Sequence, residues 1–262
     1  MPVNVYFELT REFNASGPIV SLASGQAVVH YRVAIMSKDG DWVIRETAEA
    51  CARVLEVLAE HGAFYRPGAP LDPRWLAGGW SSHFEFTDEK RRRVRCDFFS
   101  RPPRVESDVI EKLFANAPDP FVVLDLESLI RMKRTQRAKD YAVIGELAAR
   151  LPPAKQVLLT TDPDSLMRLA PDFGRGVSRP AVQAAVAGDR DAVVVALARE
   201  QDQQQLVDRA RLEAYARAAE PYLPAFSRLI ADERRLPAGH AHVLAIAEAL
   251  LPPVVTLPES SR

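Results

Sequence analysis

Asp39 and Asp41 stand two residues apart in SKDGDWVI, and a third carboxylate, Asp97, lies inside RVRCDFF. Along a strand, positions two apart share a face, so a strand over 37–44 projects the first two carboxylates side by side. Crowded carboxylates repel unless a cation lies between them. Mg²⁺ suits such a pair, because it takes oxygen from one or two carboxylates and completes its shell with water and phosphate. Lys-Asp-Gly-Asp is also good turn sequence, so an acidic turn is the plain alternative. In RVRCDFF, Val94, Cys96 and Phe98 form one face and Arg95, Asp97 and Phe99 the other. A charge inside such a strand needs a partner. It is either a metal shared with Asp39 and Asp41 or one of the nearby arginines, Arg91, Arg92, Arg93, Arg95 and Arg101. Upstream, Ser24-Gly25 follows an apolar run, and a small residue plus glycine after a strand lets backbone N–H groups approach a phosphate.

The elements that would hold these residues can be read in outline. Residues 3–14 open as a strand or a short helix, and Gly17-Pro18 breaks that element. IVSLAS at 19–24 reads as a buried strand, and QAVVHYRVAI as helical or mixed. ETAEACARVLEVLAEH at 46–61 has helical spacing and stops at Gly62. Pro and Gly make 66–79 a loop, and WSSHFEF with RRVRCDFF reads as a β-hairpin ended by Pro102-Pro103. FVVLDL at 121–126 reads as a short buried strand, followed by a long amphipathic helix or a helix pair up to Pro152-Pro153. Beyond 155 the chain is rich in Ala, Leu and Arg with helical periodicity. The composition therefore predicts an α/β domain over 1–150 and a helical C-terminal region over 151–262.

The string ASGQAVVHYRVAIMSKDGDWVI resembles the core motif of the DNA polymerase β-like nucleotidyltransferase superfamily: an apolar strand, Gly-Gly or Gly-Ser, a helix, then an Asp-x-Asp strand, with a third Asp on a later strand. LDLESLIRMKRTQRAKDYAVIGEL is similar to a helix of its small bacterial members, which include antibiotic nucleotidyltransferases and toxins of toxin–antitoxin systems. The resemblance covers about residues 18–150. It implies a mixed sheet flanked by helices and transfer of a nucleoside monophosphate from an NTP, with Mg²⁺ or Mn²⁺, to an RNA, protein or small-molecule acceptor. It gives Asp39, Asp41 and Asp97 the metal, and Asp97 also the acceptor's proton. Ser24 and Gly25 would cradle the triphosphate, with Lys133, Arg137 and Lys139 nearby. Gly40 departs from the pattern, since relatives carry an apolar residue between the two aspartates. Glycine there weakens the strand and predicts looser metal geometry and weak or lost activity. Two other readings stay open: a non-catalytic nucleotidyltransferase-fold protein that binds a protein partner, and an RNA-binding regulator using the hairpin arginines.

The totals bound these readings. The chain has 262 residues, 47% apolar and 26% charged, with a net charge of -1. That composition can bury a core, and the charge gives no global pull toward nucleic acid or anionic membrane. No stretch reaches the ~18 apolar residues of a membrane span, and the N-terminus lacks signal-peptide order. Cys51 and Cys96, without metal-like spacing, are expected as free, partly buried thiols in a reducing compartment, so a cytoplasmic location is expected. His83 is expected on the sheet surface, His30 and His61 at helix ends, and Trp42 in the core. Trp75, Trp80 and Tyr65 are read as packing residues before base-stacking ones.

Overall fold

The computed structural model describes residues 4–115, 117, 119–135, 137–232 and 235–257. In chain order the first elements are α1 (Val5–Phe13), β1 (Val20–Ala23), α2 (Ser24–His30), β2 (Gly40–Ile44) and α3 (Ala48–Glu60). Then come β3 (Phe64–Tyr65), α4 (Pro73–Ala77), β4 (Ser82–Thr87), β5 (Arg93–Phe99) and α5 (Ser107–Ala115). Among the described residues the next elements are all helices: α6 (Leu126–Lys133), α7 (Ala138–Ala148), α8 (Pro153–Leu159), α9 (Pro163–Phe173) and α10 (Pro180–Val186). The chain ends with α11 (Arg190–Ala219), α12 (Leu223–Asp232) and α13 (Ala238–Leu250). No helix among the described residues is long and apolar enough to cross a membrane.

The fold is mixed α/β, with one five-stranded sheet, flanking helices and a helical C-terminal region. The strand order is β1-β2-β5-β4-β3. β2 and β5 pair in parallel, and the other neighbours are antiparallel. The chain packs as two units: 1–124 with 213–257, and 125–212. The composition break near 150 differs from the packing division, which places α6 and α7 with α8 in the second unit.

In the first unit the sheet's apolar face carries the core. Trp42 stacks on Phe98 with centroids 5.3 Å apart, and Phe13 meets both edge-on. α1 buries Tyr6, Leu9, Thr10 and Phe13, one helical stripe, and Asn4 caps it. α3 buries Ala50, Cys51, Val54, Val57 and Leu58 behind a Thr47 cap. Trp75 and Trp80 are buried and donate their indole N–H to the carbonyls of Leu251 and Pro252, so they are packing residues with no ring face for a base. Cys51 and Cys96 are buried free thiols.

The second unit has its own core of Val157, Leu166, Leu169, Ala170, Ala181, Val182, Ala185 and Val193. Two arginines close the end of α8. Arg179 donates to the carbonyls of Val157 and Thr160 and pairs with Glu200, while Arg134 donates to Leu159. The last carbonyls of a helix lack intrahelical donors, and cations there also complement the helix dipole. Burial, with Arg179 beside it, lowers the Arg134 pKa to about 10.

Several sequence expectations are corrected. The strand expected over 37–44 begins at Gly40, because Ser37 and Lys38 give their carbonyls to Gln26 and Tyr6 side chains instead of a ladder. The loop at 66–79 contains α4, started by Asp72 accepting from the Arg74 amide with Pro73 at the first helical position. The strand expected at 121–126 is a single bridge, Val123 to Leu22: Asp125 already caps α6, so too few residues remain to pair. The segment after it is a helix pair, with α6 ending at Lys133.

Candidate functional site

The register of the sheet builds one row of side chains on the face opposite the aromatic core. Ala23 pairs with Asp41, Asp41 with Asp97, and Asp97 with His83. Arg66 follows β3 and donates its amide to the His83 carbonyl, which extends the row. Alternation explains why these residues share a face while Trp42, Cys96, Phe98 and Phe84 share the other. Asp41 and Asp97, far apart in sequence, are therefore direct neighbours on parallel strands.

Each carboxylate of the set has a distinct setting. Asp97 Oδ1 accepts from Arg66 Nη1 at 3.1 Å, and His83 Nδ1 lies 2.9 Å from the same oxygen. Asp39 sits one residue before β2, so strand alternation does not aim it. Its Oδ1 is shielded from water without a hydrogen bond, and Arg95 Nη1 approaches to 3.5 Å, an ion-pair distance. Arg95 also donates to Glu85 across the hairpin. Asp41, partly buried, lies between these two settings.

Gly40 is buried, and a Cβ there would overlap the rings of Trp42 and Tyr6. Those rings fill the space an apolar side chain would take. Burial raises the Tyr6 pKa to about 12, so its hydroxyl keeps its proton and donates to the Lys38 carbonyl at 2.6 Å. The segment that carries Asp39 is thereby tied to α1. Gly25 abuts Ser37, and a Cβ would collide with that hydroxyl. Ser24 has φ of 46°, a left-handed conformation that serine tolerates less easily than glycine.

The other sequence candidates lie in the second unit. Lys133 and Arg137 do not share one helix face: Lys133 ends α6 and Arg137 caps α7. Both meet Asp140, Arg137 Nε at 2.9 Å and Lys133 Nζ at 3.6 Å. The Lys139 side chain lies outside the described residues. His83 and Arg66 were missed as site residues. The hairpin held a signal for His83, because a turn centred on Lys90 sets it opposite Asp97.

Among the described residues, no group of three or more His, Cys, Asp or Glu side chains forms a metal cage. The donors nevertheless fit an open Mg²⁺ or Mn²⁺ site in kind. They are hard oxygen ligands, one of them a buried oxygen without a hydrogen-bond donor, and Mg²⁺ is usually held by one or two carboxylates plus substrate phosphates.

The fold and this face define a mixed α/β protein with a carboxylate row on its sheet. No family profile matches the chain, and no curated protein matches it. Two solved structures are similar to parts of it. JHP933 from Helicobacter pylori has a TM-score of 0.41 at 13% identity, over 76% of this chain and 90% of that one. An H. pylori chain described provisionally as a nucleotidyltransferase has a TM-score of 0.41 at 12% identity, over 77% of this chain and 96% of that one.

Proposed function

We propose that the protein is a metal-dependent nucleotidyltransferase that moves a nucleoside monophosphate from an NTP to a hydroxyl of an RNA, protein or small-molecule acceptor, with release of pyrophosphate. The observation that carries this reading is the register pair Asp41 and Asp97, with the orphaned Asp39 oxygen at the start of β2. Asp39 and Asp41 hold the cation, and Asp97 joins them. Bound Mg²⁺ or Mn²⁺ neutralises phosphate charge and stabilises the attacking and leaving oxygens. Asp97 accepts the proton of the acceptor hydroxyl. Ala23, opposite Asp41, brings the start of α2 to the edge of the row, so the backbone at Ser24 and Gly25 orients the phosphates. The proposal uses the first unit alone.

A second reading has its own observation. Asp97 and Asp39 already face Arg66, His83 and Arg95, an arrangement suited to NTP binding without transfer. The RNA-binding reading has less support, since Arg92, Arg93, Arg95 and Arg101 lie against Asp88, Glu85 and Glu46. The test incubates labelled ATP, CTP, GTP and UTP with Mg²⁺ or Mn²⁺ and pools of RNA, protein and small-molecule acceptors. Wild type is expected to label one acceptor class, and Asp41→Asn to lose ~10²–10³-fold in rate. Metal-dependent NTP binding without any transfer selects the second reading, and absence of both overturns the first.

A further inference from the structure

His83 and Arg66 reach Asp97 from the side opposite Asp41. Both contacts fall on Oδ1, so together they fix the carboxylate from one edge and leave Oδ2 for exchange. His83 Nδ1 is buried and lies 2.9 Å from Oδ1, at ion-pair distance but outside hydrogen-bond alignment.

The ring is itself positioned from behind. Gly68 packs on it so closely that an added Cβ would lie 2.5 Å from His83 Cδ2. Gly68 is in turn fixed by its carbonyl, which accepts from the Tyr222 hydroxyl at 2.9 Å. Burial keeps that phenol protonated, with its pKa raised above its ordinary value. The Arg66 amide donates to the His83 carbonyl at 2.9 Å, tying the two residues to each other. A chain of contacts thus runs from Tyr222 through Gly68 and the imidazole to Asp97. Nothing in ordinary sheet packing requires two nitrogens beside one carboxylate oxygen.

We infer that His83 and Arg66 are positioning residues for Asp97, holding Oδ1 so that the remaining oxygen meets the metal and the acceptor proton. The inference rests on the nucleotidyl-transfer reading. Groups that hydrogen-bond a ligating carboxylate set its orientation, and their loss typically costs ~10–100-fold in metal affinity or activity.

The experiment titrates the full chain with Mn²⁺, reading free Mn²⁺ by its paramagnetic resonance signal, with a nonhydrolysable ATP analogue present. Wild type, His83→Ala, His83→Asn, Arg66→Ala and Gly68→Ala are compared, each checked for a native near-UV circular dichroism spectrum. His83→Ala and Arg66→Ala are expected to weaken Mn²⁺ binding ~10–100-fold. Gly68→Ala, which deletes no polar group, should shift it in the same direction by displacing the ring. His83→Asn, whose amide nitrogen approximates Nδ1, should recover most of the affinity. In turnover, kcat should fall with KM for the NTP nearly unchanged. Equal Mn²⁺ affinity in wild type and His83→Ala overturns this inference and leaves the transferase reading standing. Equal losses in His83→Ala and His83→Asn also overturn it, since a packing role alone would then suffice. A wild type that binds no Mn²⁺ overturns the reading beneath it, and the inference with it.

Discussion

Both units concentrate charge, and they use it differently. On the sheet face of the first unit, side-chain exposure runs from 20% at Asp97 to 40% at Asp39, and carboxylates meet arginine or histidine with oxygens to spare. In the second unit Lys133 and Asp140 are each 8% exposed, and Arg179, at 12%, spends its donors on helix-end carbonyls and Glu200. Buried pairs with backbone partners are structural, because removing one member strands the other without solvation. Half-exposed carboxylates lose little when a partner is exchanged, and that makes the first set suited to a ligand.

The comparison breaks most sharply at Arg179. Arg179→Ala should destabilise the second unit by ~3–5 kcal/mol, leaving two carbonyls and Glu200 without their donor. Urea unfolding followed by hydrogen exchange in α8 and α11 would read it, and a loss below ~1 kcal/mol would mean that water replaces the guanidinium.

His240 sharpens the contrast from within the first unit, where a closed polar contact also exists. Tyr65 accepts from the Leu71 amide and shares a hydrogen bond with His240 Nδ1 at 2.8 Å. Burial lowers the His240 pKa and raises that of Tyr65, so at neutral pH both groups are uncharged. The unfolded chain takes up that proton at its ordinary pKa and the folded chain only below it. Stability from this contact is therefore present above about pH 6.5 and falls on acidification toward the lowered value. Denaturation midpoints from pH 7.5 to 5 should show that loss, and His240→Gln should flatten it. The smallest effect is expected at the row itself. Asp41→Asn should change folding stability by less than ~0.5 kcal/mol, or raise it slightly, as carboxylate repulsion is relieved. A large loss in thermal melting would place Asp41 with the structural charges.

The elements with strong periodicity were legible in sequence. The alternation of SHFEF and RVRCDFF gave the hairpin, the spacing of Ala50, Val54 and Leu58 gave α3, and together they support the mixed sheet with its helical C-terminal region. What sequence could not carry was pairing between distant segments. That Asp41 meets Asp97 depends on the β2–β5 register, and no local pattern encodes that register. Arg66 escaped notice because β3 has only two residues and borders a Gly/Pro stretch. The break after Lys133 was ambiguous, since Arg134-Thr135-Gln136 carries neither Gly nor Pro. Asp140 then gathers Lys133 and Arg137 from the two sides of that break.

The β2–β5 ladder, parallel and central in the sheet, also sets when this face comes into being. Its strands are separated in the chain by α3, β3, α4 and β4. Closing so long a loop costs entropy before any contact offsets it, and pairings of this kind form slowly. A chain extended only through β4 holds Asp39 and Asp41 without Asp97. During refolding, Asp41 and Asp97 are therefore expected to come together with the slowest sheet-forming phase.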